Sequence, residues 1–258
     1  MSECLPIFQS QYSLGKSILT LNKQGESPST GPDSIIDICI ENDIQDLFLV
    51  DNSMSGFLQA YVNSAEANLK LIFGLKILAG TDKEDKTESS LKKFSKLIIF
   101  AKNEEGYKRL IKIYSDASVN GFYYTPRTDY KFLKSAWNND DLRLCVPFYD
   151  SFIFKNVLEN YTCVPELDFA DPTFFIEDNG LPFDEIIKNK VIEYAEEKEE
   201  LVRTQSIYYK NKKDFMAYLT FRCINNRSSL EKPNLDHMCS NNFCLENWRE
   251  NGRTPAKI

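Results

Sequence analysis

LFLVDN (47–52) decides how this chain is read. Four consecutive apolar residues, Leu47 to Val50, end on a carboxylate and an amide. An unbroken apolar run of this length predicts a parallel strand buried on both faces, with its polar residues at the C-terminal end. Similar short runs recur along the chain: a strand in 5–14 that enters a turn, then 71–78, 96–101, within 142–149, 174–177 and 202–209. Helical patterns lie between them. Asp33 or Ser34 caps a helix carrying Ile35, Ile36, Cys39 and Ile40, and residues 57–69 read as a second helix. Asn103 caps a helix with Tyr107, Leu110, Ile111 and Tyr114, and further helices are predicted over 182–200 and 213–224. Strands alternating with helices at this spacing predict an α/β protein with mainly parallel strands and a pocket at their C-terminal ends.

The 258 residues are 42% hydrophobic and 13% aromatic, which is enough for a sizeable core. Lys and Arg number 31 against 38 Asp and Glu, a net charge of -7. That balance speaks against a free-standing nucleic-acid grip, which needs a surplus of cations for phosphate. No stretch is long and apolar enough for a membrane span. The N-terminal residues lack the basic and apolar regions of a signal peptide, so the expected location is the cytoplasm. Seven scattered cysteines without C-x-x-C spacing are expected to be free thiols, with Cys39 and Cys223 in the core.

One histidine, His237, occurs in the whole chain. Chemistry needing two imidazoles is excluded. His237 with Cys239 and Cys244 resembles part of a zinc ligand set, but a fourth ligand is missing and Asp236 would reach only with awkward geometry. The charged stretch 81–95 reads as an exposed loop, and 225–258 as a C-terminal extension of a single domain. Tyr123, Tyr124, Arg127 and Lys131 combine rings with charge as nucleic-acid stacking platforms do, although such residues also pack loops. QDLF (45–48) faintly resembles a sliding-clamp peptide and is read as core.

AKNEEGYKRLIKIYSDASVNGFYYTPRTD (101–129) resembles the PHP (polymerase and histidinol phosphatase) domain at the N-terminus of bacterial DNA polymerase III alpha subunits. FQSQYSL (8–14), LFLVDNSMSGFLQAY (47–61), KLIFGLKI (70–77), FFIEDNGLP (174–182) and RTQSIYYKNKKDFMAYLTFRCI (203–224) resemble further segments of that family, in the same order. Residues 135–170 align poorly. The resemblance implies a distorted (β/α)7 barrel. In active members it implies a cluster of divalent metals, zinc or manganese, held by histidines and carboxylates for phosphoester hydrolysis.

Carried over residue by residue, that ligand set is degenerate. The opening His-x-His falls on Ile7-Phe8-Gln9, and Asp-His falls on Asp51-Asn52. A Glu falls on Lys76, a His on Lys96, the closing Asp-x-His on Ser206-Ile207-Tyr208, and a last His on Tyr218. No metal cofactor and no catalytic residue are therefore expected. Lys76, Lys96 or both are expected to neutralise Asp51 in a metal-free pocket. The resemblance implies a catalytically inactive interaction module in DNA replication, whose partner is a replicative polymerase, a proofreading exonuclease or another replisome protein. The alternative is a divergent metal-dependent phosphoesterase or 3'-5' exonuclease working with a reduced ligand set.

Overall fold

A computed structural model describes residues 4–28, 30–195, 200–231 and 240–251. Its contacts cluster into two compact units, one formed by 1–73, 177–184 and 203–258, the other by 74–176 and 185–202. The architecture is mixed α/β, as expected.

The first unit is built around β1 (Leu5–Phe8), which runs parallel to β2 (Asp46–Asp51) and to β8 (Glu200–Ile207). Every residue of β1 is buried, and Leu47 to Asp51 of β2 are buried too. This is the all-apolar signature of strands flanked on both sides and covered on both faces. Leu47 and Phe48 are thus core, as read for the QDLF stretch. Helix α1 (Ile35–Glu41) starts where Ser34 Oγ accepts the Ile36 N–H, which decides between the two caps read from sequence, Asp33 and Ser34. Helices α2 (Phe57–Glu66), α7 (Phe215–Asn226) and α8 (Leu245–Asn251) complete the unit.

In the second unit β3 (Lys70–Gly80, from Gly74 onward) pairs with β4 (Ser95–Ala101) and β5 (Arg127–Asp129), β4 pairs with β6 (Leu142–Val146), and β6 with β7 (Thr173–Ile176). The expectation of mainly parallel strands holds with one exception: β1–β2, β1–β8, β3–β5 and β6–β7 are parallel, while β4 is antiparallel to both β3 and β6. Residues 81–94, which join β3 to β4, supply only a 3-10 turn (Glu88–Lys93) and no crossover helix, so the chain returns beside β3 in the opposite sense. Around these strands lie α3 (Glu104–Val119), α4 (Tyr130–Ala136), α5 (Phe152–Leu158) and α6 (Asp184–Ala195). Asn103 Oδ1 accepts the Gly106 N–H at 2.8 Å, capping α3. Asp129 caps α4 and Ser151 caps α5 in the same way. These two helices, like α8, were not predicted.

The stretch 81–95 is not simply an exposed loop. Lys83 and Ser90 are buried, Lys83 pairs with Asp116, and Phe94 is core. Arg127, fully buried, donates to Lys83 O, Asp85 O, Ser90 Oγ and Gly121 O. Its guanidinium lies between the rings of Phe94 and Tyr123, 4.4 and 5.0 Å from their centroids. A charged segment is therefore tied down by one arginine distant in sequence.

Gly106 permits the close seat of α3: a Cβ there would lie 2.2 Å from the Asp141 carbonyl oxygen. Gly106→Ala is expected to destabilise by about 1–3 kcal/mol, because backbone must move to admit the methyl. Urea denaturation checks this; an unchanged midpoint would refute the close-packing account.

Candidate functional site

The C-terminal ends of the parallel strands in the first unit bring several of the sequence candidates together. Ile7 lies beside Ser206 in the β1/β8 register, and Phe8 lies beside both Ile207 and Leu49. Gln9, Asp51 and Tyr208 therefore emerge at one end of neighbouring strands, where ligand sites of such sheets form.

Asp51 is fully buried at the last position of β2. Its Oδ1 accepts from the Ser10 N–H at 3.0 Å and the Ser13 hydroxyl at 2.7 Å; its Oδ2 accepts from the Ser10 hydroxyl at 2.6 Å. Burial pushes the Asp51 carboxyl above its ordinary value, and the bonds from Ser10 and Ser13 oppose that rise. The expectation that a lysine neutralises Asp51 is corrected here. Its partners are serines of the turn that follows β1, while Lys76 forms an ion pair with Asp150 at 3.7 Å. The Lys96 backbone N–H donates to the Asp150 backbone carbonyl at 2.8 Å. A short hydroxyl can reach a buried carboxylate without carrying a second charge into the interior, which explains why serines serve here. Asn52 turns its N–H toward the Ser13 hydroxyl at 2.9 Å.

A second buried carboxylate, Glu177, escaped the sequence reading. It follows β7 and accepts from the Ser206 hydroxyl at 2.7 Å, the Ser206 N–H at 3.0 Å and the Asn179 amide at 3.0 Å. The available signal was the pattern already used for Asp51: an apolar run, FFI, ending on an acid. Ser10 and Ser13 were also missed as functional positions, although both stand in the quoted turn.

The remaining candidates are aromatic. Tyr208 stacks between Tyr218 and Phe243, with centroids 5.7 and 5.6 Å away. The Tyr218 hydroxyl accepts from Arg222 at 3.0 Å, and burial pushes its pKa upward. Rings now occupy positions at which the resemblance implies imidazoles.

This donor set does not suit a cluster of divalent metals. Ile7 offers no lone pair, and the phenols of Tyr208 and Tyr218 lie in stacked rings. Both oxygens of Asp51 already accept hydrogen bonds. Among the described residues, no group of three or more His, Cys, Asp or Glu side chains could hold a metal ion. His237 and Cys239 of the considered zinc set lie outside the described residues; Cys244 is buried in the core. Cys4, Cys39, Cys145, Cys163 and Cys223 are buried as well, without disulfides. Burial pushes the Cys4 thiol up to about 12, which suits an inert thiol. In the aromatic loop, Arg127 is consumed in the interior and cannot meet a phosphate, while Tyr124 is exposed. No helix among the described residues is long and apolar enough to cross a membrane.

Residues 28–160 match the family model of the PHP domain. The chain is 27% identical over 213 residues to the DNA polymerase III subunit alpha of Borreliella burgdorferi, covering 77% of this chain and 18% of that protein. It is 27% identical over 211 residues to the same subunit of Treponema pallidum, covering 78% and 18%. Over a shorter stretch of 82 residues it is 34% identical to that of Helicobacter pylori, covering 32% and 7%. The chain thus spans less than a fifth of the length of these first two relatives.

Proposed function

Because this chain belongs to the PHP domain family, we propose that it is a PHP-fold protein without hydrolytic activity, serving as a protein-interaction module in DNA replication. The α/β fold of that family is retained and its chemistry is not. The observation that carries this reading is the state of Asp51, the one family ligand kept in type. Its carboxylate is fully buried and both oxygens accept hydrogen bonds from Ser10 and Ser13, with Ile7 and Ser206 paired on the strands beside it. Hydrolysis through a reduced ligand set would need carboxylate oxygens open to a metal or water at this point. A lysine acting as base in place of imidazole would need to reach the substrate, and the Lys76 ammonium is paired with Asp150.

Similarity to polymerase III alpha subunits supports a replisome setting. In that setting the partner is the polymerase, the proofreading exonuclease or another replisome protein. The net charge of -7 fits a protein partner better than DNA.

Purified protein given manganese and either a chromogenic phosphodiester or labelled single-stranded DNA is expected to show no turnover. Turnover abolished by Asp51→Ala would overturn the silent reading. In parallel, immobilised protein is expected to capture a replication protein from an extract of its host. Capture of none would count against the interaction half of the proposal and leave the hydrolysis result standing on its own.

A further inference from the structure

Helix α2 is turned inside out. Its buried residues are Ala60, Asn63 and Ser64, small or polar, and Asn63 Nδ2 is spent on the Leu21 carbonyl at 2.6 Å. Its larger apolar side chains point to water: Leu58 is 70% exposed, Tyr61 58% and Val62 40%. With the exposed Ala65 they stand three and four residues apart, which aligns them in one stripe along the helix. A surface helix ordinarily shows the opposite arrangement, apolar stripe inward and polar face outward. An apolar stripe left in water marks an interaction surface. The turn after β1, tied to α2 by the Tyr12 hydroxyl on Gln59 Oε1 at 2.8 Å, exposes Leu14 as well.

Two further observations say what covers the stripe. The first is charge. Residues 52–65 hold no charged side chain, in a chain that is 27% charged and carries a net -7. Glu66, the one charge on α2, is paired with Lys23 at 2.9 Å. Two copies of so acidic a chain repel each other, and a neutral face is where they can meet without setting like charges opposite. A basic partner would instead be drawn to the acidic surface elsewhere. The second observation is pattern. Reversing the helix end for end maps the stripe onto itself, as a two-fold contact requires. Leu58 then meets Ala65 of the second copy, large against small, and Tyr61 meets Val62 of the second copy. The Tyr61 ring is already held, stacked on Phe57 at 5.8 Å, with Phe57 edge-on to the buried Phe73 at 5.2 Å. A rigid ring at the centre of a contact is a strong anchor.

We propose that the α2 stripe is a self-association surface, on which two copies of this chain pair with their α2 helices antiparallel about a two-fold axis between Tyr61 and Val62. The proposal is independent of the replication reading, since it uses none of the residues around Asp51. One short helix and one turn make a small interface, so the dimer is expected to dissociate at about tens of micromolar.

Sedimentation velocity of the full chain under reducing conditions, from about 1 to 200 µM, tests it. Monomer is expected at the low end and dimer at the high end. Tyr61→Glu and Leu58→Lys are each expected to weaken the dimer about tenfold or more, because each places charges in the contact. Both side chains are exposed, and circular dichroism checks that the variants keep the fold. The register has its own readout. Tyr61→Glu and Val62→Lys, each monomeric alone, are expected to associate when mixed, since glutamate at 61 then faces lysine at 62 while the other Tyr–Val contact stays intact. The proposal is overturned if the chain is monomeric at every concentration, if the dimer survives both Tyr61→Glu and Leu58→Lys, or if the mixed variants stay apart.

Discussion

Arg127→Met is expected to lower the unfolding free energy by about 4 kcal/mol, the largest single-residue loss foreseen outside the apolar core. Methionine keeps an apolar stem between Phe94 and Tyr123, so packing is largely preserved. What disappears is the fork of donors. Lys83 O, Asp85 O, Gly121 O and Ser90 Oγ then lose a partner together. Each buried acceptor left unmatched costs about 1–3 kcal/mol, with part recovered as water enters. Arg127→Lys keeps the charge and is expected to restore little, because an ammonium cannot span four acceptors spread across two loops. Guanidinium denaturation measures both variants. A loss under about 1 kcal/mol for Arg127→Met would mean that the loops are held by Phe94 and the Lys83–Asp116 pair instead.

Asp51→Ala is expected to cost about 3 kcal/mol, since the Ser10 N–H and the hydroxyls of Ser10 and Ser13 would lose their acceptor in the interior. The more telling variant is Asp51→Asn, nearly identical in shape. Burial raises the native pKa of Asp51 above its ordinary 3.8. The native state therefore holds this proton more tightly than the unfolded chain does. The resulting contribution to stability is fully present below 3.8 and is lost as pH rises through the raised native value. Relative to Asp51→Asn, the unaltered protein should thus lose stability as pH climbs through that window, and the two curves should run parallel above it. Thermal melts across the acid range provide the check. Parallel curves throughout would show that the hydrogen bonds from the serines fully offset burial.

The local features of the fold were legible in the residues. Apolar runs announced β2, β3, β4 and β7, and the Ser34 and Asn103 caps announced α1 and α3, because strands buried on both faces and capped helix starts are specified by neighbours along the chain. Membership of the PHP family was equally legible, from motifs spread in order along the chain. The partners of the site residues were not legible. Asp51 was expected to meet a lysine, yet Ser10 and Ser13 hold it from 41 and 38 residues away. Charge counting favours a cation for a lone acid; burial favours neutral hydroxyls that satisfy it without a second desolvated charge. Arg127 could be read either as a cation for stacking on bases or as packing a loop, and it is the buried tie of two loops; aromatic and charged residues look alike in sequence whether they face water or one another. Composition, periodicity and end signals are properties of neighbouring residues, and the chain carries them in plain view. Which groups hold a buried acid and which charge is buried depends on residues dozens of positions apart, and these meet only when the strands are laid side by side.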